Sequence, residues 1–164
     1  MAINLDKTDF KILQILQEKG RITNIQLSSD IGLSPAPTLE RVKKLEKKGF
    51  IKSYHAIVDA EKLGLGVRTF IQITLHWHKN NAINNFIKKI SDIHEVIECH
   101  HVTGSADFIL KIHVEDINAY ERLILDHISK IEEIGHLQTM MILSTFKLSR
   151  TVPLDYDNPP RRAK

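Results

Sequence analysis

Apolar residues recur at helical spacing three times before Gly49, and beyond Gly66 they switch to alternation. Phe10, Leu13 and Leu16, with Ile12 beside them, form the first helical face, and Gly20 stops it. The second helix has an explicit start. Thr23 is followed three residues later by Gln26, the spacing of a capping box, with Ile22 and Leu27 placed as a hydrophobic staple. Gly32 is a natural left-handed end for that helix. The short segment Gly32-Leu33-Ser34-Pro35-Ala36-Pro37-Thr38 then opens a third helix, with Ser34 as cap and Pro35 at the first position. Leu39, Val42 and Leu45 set its buried face, and Gly49 ends it. Phe50 to Val58 alternates loosely, as a short hairpin or wing would.

Residues 59–66 read as a linker. Val67, Thr69, Ile71, Ile73, Leu75 and Trp77 alternate as a strand, and Ile83, Phe86, Ile87 and Ile90 follow as an amphipathic helix. Val96 to Thr103 and Asp107 to Val114 are two strands around a Gly104-Ser105-Ala106 turn. Ile117, Tyr120, Ile124, Ile128 and Ile131 mark a second helix, and Leu137 to Lys147 a final strand. The predicted order is βαββαβ, a ferredoxin-like unit. The whole chain is therefore α+β: a winged helix-turn-helix over 1–58, a linker over 59–66, a ferredoxin-like domain over 67–154 and a flexible tail over 155–164. Two helices cover one face of a sheet. Phe108, Leu110 and Ile112 alternate with Ile109, and Met140 and Ile142 with Met141 and Leu143, so the other face also carries apolar groups. A second copy packing on that face is the expected remedy.

Charge separates the two halves. Residues 1–55 carry ten lysines and arginines against six carboxylates, a balance of +4 out of a net +3 for the chain. The excess concentrates on the third helix, which faces outward with Lys43, Lys44, Lys47 and Lys48. A helix-turn-helix with a basic third helix points to double-stranded DNA. Ser34, Ala36, Pro37, Thr38 and Arg41 occupy the end of that helix that meets base edges. Arg41 has the fork for a bidentate guanine contact. The four lysines suit phosphates, which give affinity and salt dependence without sequence readout. Thr23, at the start of the second helix, joins the DNA-facing set. The single cysteine, Cys99, excludes an intrachain disulfide and suits a reducing cytoplasm. No apolar run reaches the length of a membrane span.

Several ordered stretches carry a resemblance. They are Leu5-Asp6-x-x-Asp9-x-x-Ile12-Leu13, Gly20-Arg21-Ile22-Thr23, Gly32-Leu33-Ser34-Pro35-x-Pro37 and Arg41-x-x-x-Leu45-Glu46-x-x-Gly49-x-Ile51. Glu98-Cys99-His100 and Val102-Thr103-Gly104-x-x-Asp107-Phe108 follow in the second half. From Leu5 to about Leu154 the chain resembles the Lrp/AsnC, or feast/famine, transcription regulators of bacteria and archaea. The resemblance implies a homodimer that assembles further, often as a tetramer of dimers. It also implies an amino-acid effector held near the turn at Gly104, Ser105 and Asp107, with Thr139 and Met141 of the last strand completing the pocket. Gly104 would let a carboxylate approach backbone N–H groups, and Asp107 would pair with the ammonium. Met141 stands where some members carry a polar residue, which favours an apolar amino acid such as leucine or methionine.

Nine histidines raise the question of a metal. His76 and His78 share one strand face and Cys99 and His101 another, but no Cys-x-x-Cys or His-Glu-x-x-His spacing occurs. No metal or cofactor is expected. The one enzyme alternative is the sirohaem decarboxylases, tetrapyrrole-processing enzymes similar to this family. The basic third helix and the turn at Gly104 count against it.

Overall fold

The computed structural model describes residues 5–77 and 80–154. The chain forms two compact units. One takes the chain up to Ile57 together with residues from Lys147 on, and the other is Val58–Phe146.

The first unit is three helices around Ile12, Leu27 and Leu45. Helix α1 (Lys7–Glu18) begins at a capping box that the apolar pattern did not announce: Asp6 accepts from the Asp9 amide at 2.8 Å and Asp9 accepts from the Asp6 amide. Helix α2 (Asn24–Ile31) has the expected Thr23–Gln26 capping box and ends on Gly32 at φ +73°. Helix α3 (Pro35–Lys47) follows after a tight turn.

Three expectations in this unit are corrected. Ser34 occupies the cap position of α3, but its side chain makes no capping hydrogen bond. The buried line of α3 runs through Thr38, Val42 and Leu45, so Leu39 is 42% exposed. Thr38 enters the core because its hydroxyl donates to the Ser34 carbonyl at 2.9 Å, which satisfies the buried oxygen. Residues 50–58 form no strand, because no second extended segment of this unit pairs with them among the described residues. Ile51 packs on the helical core, and the Tyr54 hydroxyl donates to Glu46 at 2.9 Å. Burial and that carboxylate push the Tyr54 phenol up to about 12. Residues 147–154 group with the helices rather than with the sheet. Gln17 accepts from the Val152 amide at 2.6 Å and donates to its carbonyl at 3.3 Å.

The second unit is an antiparallel sheet in the order β2-β3-β1-β4, from β1 (Val67–Leu75), β2 (Val96–His101), β3 (Phe108–Val114) and β4 (Ile134–Met141). Helices α4 (Asn80–Ser91) and α5 (Ile117–Asp126) pack on one face. Phe86 and Ile90 of α4 and Leu123 of α5 meet Ile71, Ile73, Phe108, Leu110 and Ile112 there. The rings of Phe86 and Phe108 lie 4.6 Å apart. The connectivity is the expected ferredoxin-like one.

Element ends differ from the sequence reading. Helix α5 stops at Asp126, and Ile128 and Ile131 reach the core from a 3-10 turn (Ile128–Lys130) and the residue after it. Strand β4 starts and stops earlier than expected. Its last pairs are Met141 with Thr69 and the Ile142 amide with the Arg68 carbonyl. β1 begins at Val67, so the chain beyond Ile142 has run past its partner strand.

The face away from the helices is less apolar than the pattern suggested. Register puts Phe70, Ile109 and Met140 there, but also Arg68, Gln72, Glu98, His100, Lys111, His113, His136 and Gln138. The apolar part is one narrow strip. Where β4 enters the sheet, its register with β1 shifts between Leu75 and Thr74, and Gly135 is the inserted residue. A Cβ on Gly135 would sit 3.0 Å from His76 Nδ1 and 3.2 Å from the His76 amide nitrogen. Gly135→Ala is expected to destabilise this unit by about 1–2 kcal/mol. Its thermal midpoint checks this, and an unchanged midpoint would mean that the bulge relaxes freely.

Candidate DNA-binding surface and effector turn

The start of α3 is an exposed edge made by Ser34, Ala36 and Pro37. Small side chains here leave the helix free to approach a groove closely, and Ala36 can meet a thymine methyl. Lys43, Lys44, Lys47 and Lys48 are exposed further along, with Lys43 also 3.2 Å from Glu40. Their spacing suits consecutive phosphates rather than one point.

Two members of the expected base-reading set sit differently. Thr38 is fully buried and has no surface to offer DNA. Arg41 Nη1 lies 2.7 Å from both Asp6 Oδ2 and Asp9 Oδ1, and its side chain is 33% exposed. The guanidinium is thus a clamp between α3 and the start of α1, with one nitrogen shared by two carboxylates. Asp9 is buried, and Arg41 supplies the countercharge it needs. Burial works against the charged form of Asp6. The Asp9 amide and Arg41 outweigh it and hold the carboxyl below its ordinary range. Thr23 also has a prior commitment, since its hydroxyl accepts from the Gln26 amide at 3.2 Å and donates to Gln26 Oε1 at 3.1 Å.

A further tie had no sequence signal of its own. Asn24 Nδ2 donates to the Pro35 carbonyl at 2.8 Å and joins the first residues of α2 and α3. The third helix is therefore fixed at both neighbours by polar contacts, above the small apolar core.

The turn before β3 has Gly104 at φ +124°, a conformation that side-chain-bearing residues avoid. The Val102 amide donates to the Asp107 carbonyl and the Asp107 amide to the Ile73 carbonyl, each at 2.9 Å. Asp107 Oδ2 accepts from the Leu75 amide at 2.8 Å, so this carboxylate already anchors the turn on β1. Gly104 and Ser105 are exposed beside it.

Within one chain the other two candidates are not brought to this turn. Thr139 pairs with Ile71 and Met141 with Thr69, whereas the turn feeds β3 opposite Ile73. Four residues of strand put Met141 roughly 13 Å further along β1, on its other side. The Thr139 hydroxyl bonds to the Tyr120 hydroxyl of α5, and Met141 is 40% exposed.

Several of the described histidines have partners of their own. His101 stacks on Phe108 with ring centroids 4.8 Å apart. His100 lies 3.1 Å from Glu98, which also takes Lys111 at 2.8 Å. Lys111 and then His100 hold the Glu98 carboxyl below its usual range. His78, like residues 155–164, lies outside the described residues. Among the described residues no helix is long and apolar enough to cross a membrane.

A helix-turn-helix with a basic third helix, carried with a separate ferredoxin-like unit, defines a DNA-binding transcriptional regulator with its own ligand-binding domain. Residues 5–52 match the winged helix-turn-helix DNA-binding family, and residues 68–152 match the Lrp/AsnC ligand binding domain. The chain is 39% identical to the transcriptional regulator AzlB of Bacillus subtilis, over 94% of this chain and 99% of that one. It is 36% identical to the leucine-responsive regulatory protein of Escherichia coli K12, over 89% of each. Its fold superposes with a TM-score of 0.90 on a transcriptional regulator of Neisseria meningitidis solved as its L-Met complex, at 35% identity, covering 94% and 100% of the two chains. This protein belongs to the Lrp/AsnC family of transcriptional regulators. These relatives are regulators rather than enzymes, and the sirohaem-decarboxylase alternative falls with that.

Proposed function

We propose that this regulator binds DNA as a homodimer, assembling further to a tetramer of dimers in the cytoplasm, and that a free amino acid alters which half-sites it engages. The observation that carries the DNA part is the exposed, basic α3 locked to α1 and α2 by Arg41 and Asn24. Ser34, Ala36 and Pro37 read the groove, and the four lysines contact phosphates.

The effector sits at Gly104, Ser105 and Asp107. Thr139 and Met141 are too far along the sheet to close the same pocket in one chain, so their contribution comes from another copy. A ligand held between copies changes assembly geometry if it binds the alternative arrangements unequally. The L-Met complex of the Neisseria regulator and the leucine response named for the Escherichia relative support an apolar amino acid. Met141 agrees with that class.

The test is fluorescence anisotropy on DNA from upstream of the protein's own gene, at two salt concentrations, with and without an amino-acid pool. Salt-sensitive binding altered by the pool is expected; binding that never exceeds the non-specific level would overturn the reading. Asp107→Asn separates the two roles of that residue. Its amide oxygen still accepts from the Leu75 amide, while the charge that would meet an ammonium is lost. The expected result is unchanged DNA affinity without effector and at least a tenfold weaker effector response. An undiminished response would clear Asp107 of contact with the ligand.

A further inference from the structure

The ferredoxin-like unit has a concave site at the end of β3 opposite the turn at Gly104. β3 runs from Phe108, beside that turn, to Val114, which puts the two places roughly 20 Å apart. The cavity at the Val114 end measures about 360 Å³. Small-molecule sites span roughly 300–1,000 Å³. Buried Val114 and Leu123 supply apolar lining. Leu65, from the segment that leads into the sheet, lines the cavity too. The Gly66 amide donates to the Glu115 carbonyl at 3.3 Å and fixes that segment beside the entry to α5. The charged groups at the cavity are of both signs. Glu95, Glu115 and Arg122 are exposed there, and none of the three side chains makes an ion pair or hydrogen bond with a described residue. Asp126, also at the cavity, already lies 3.5 Å from Lys130.

We propose that this cavity is a second ligand site, and that it takes a basic amino acid of the lysine or ornithine class. Two carboxylates and one guanidinium without partners are the complement of two ammonium groups and one carboxylate. A diamino acid carries that set on one small molecule. Arg122 takes its carboxylate, and Glu95 and Glu115 take its two ammonium groups. An apolar amino acid leaves one of the two glutamates unanswered. A diamine leaves Arg122 unanswered and sets a second cation beside it. The site is separate from the turn at Gly104, and the proposal does not rest on the effector reading of that turn. Leu65 and α5 both line the cavity, so an occupant holds the connecting segment against that helix. Occupancy is thereby felt at the segment through which the chain arrives from the helical unit.

Isothermal titration calorimetry of the full chain with L-lysine and L-ornithine tests this, with L-leucine and the diamine cadaverine as comparisons. The titrations are run on Asp107→Asn, which removes the charge at the turn, and on the same chain carrying Arg122→Gln or Glu115→Gln. Both side chains are exposed, so these variants keep their fold, which circular dichroism verifies. The expected result is a dissociation constant below about 1 mM for at least one of the two basic amino acids in Asp107→Asn. Arg122→Gln and Glu115→Gln each weaken that binding about tenfold or more, and leucine and cadaverine bind about tenfold more weakly than the basic amino acid. Absence of binding by both basic amino acids overturns the proposal. So does binding that Arg122→Gln and Glu115→Gln leave unchanged, or that leucine or cadaverine matches. Binding seen in the wild type and lost in Asp107→Asn belongs to the turn and also overturns it. None of these results touches the response of the wild type to an apolar amino acid, which tests the turn by itself.

Discussion

Arg41→Ala weakens binding to every DNA sequence alike and lowers the stability of the helical unit by about 2 kcal/mol. Breaking a fully buried ion pair costs about 3–5 kcal/mol. Arg41 is one-third exposed and Asp6 about half exposed, which brings the figure down. The loss arises because Asp9 stays buried beside Asp6 without its cation. Thermal unfolding measures the stability term, and anisotropy on operator and scrambled DNA measures the ratio of affinities. A base-reading arginine would lower that ratio at one base position; a clamp leaves it unchanged. Asp6 gives the same conclusion through pH. Its carboxyl is held low in the folded state, so the stability it adds is full above the ordinary carboxylate range. That stability is lost as pH falls through the lowered folded value. In Arg41→Ala this acid-side loss becomes smaller, because part of what lowers Asp6 has gone. Arg41→Ala with wild-type stability and an altered base preference would return Arg41 to the groove.

Replacing Lys43, Lys44, Lys47 and Lys48 together by alanine has the largest expected effect on binding. Each phosphate contact adds about 0.9 to the slope of log affinity against log salt. Four contacts make the slope shallower by about 3.6 and weaken binding on the order of a hundredfold at moderate salt. The affinity ratio between operator and unrelated DNA changes little, since phosphates carry no sequence. All four side chains are exposed, so the fold tolerates the change. Single substitutions divide the effect. Lys43 contributes least, because Glu40 already lies 3.2 Å from its ammonium. A quadruple variant with the wild-type salt slope would show that α3 does not track the phosphate backbone.

These two predictions separate what the chain states locally from what it settles at a distance. The helix ends are local. Thr23 with Gln26, Gly32 at φ +73° and Pro35 at the head of α3 act within a few residues, and each stands where the pattern put it. The βαββαβ order is local too, because period-two and period-3.6 runs alternate without ambiguity. The charge asymmetry and the motif set sufficed to place the chain in its family.

What the pattern left open depends on contacts that residue spacing does not announce. Thr38 counts as polar until its hydroxyl finds the Ser34 carbonyl four residues back, and the core then takes Thr38 while Leu39 stays 42% exposed. Arg41 is indistinguishable from a base reader until the fold brings Asp6 and Asp9, more than thirty positions earlier, within 2.7 Å. Asp107 is a candidate effector contact in the sequence, and the fold adds a second role, holding the Leu75 amide.

Strand ends show the same division. Residues 50–58 and 143–147 have strand-like composition, but a strand is completed by a neighbour, and neither segment finds one in its own unit. Period and capping chemistry are properties of consecutive residues, so helices, strand order and the class of partner follow from the chain alone. Burial phase, charge pairing and pairing length are properties of contacts across tens of residues. Only the assembled core decided those, because each contact's free energy depends on which group the rest of the chain places opposite it.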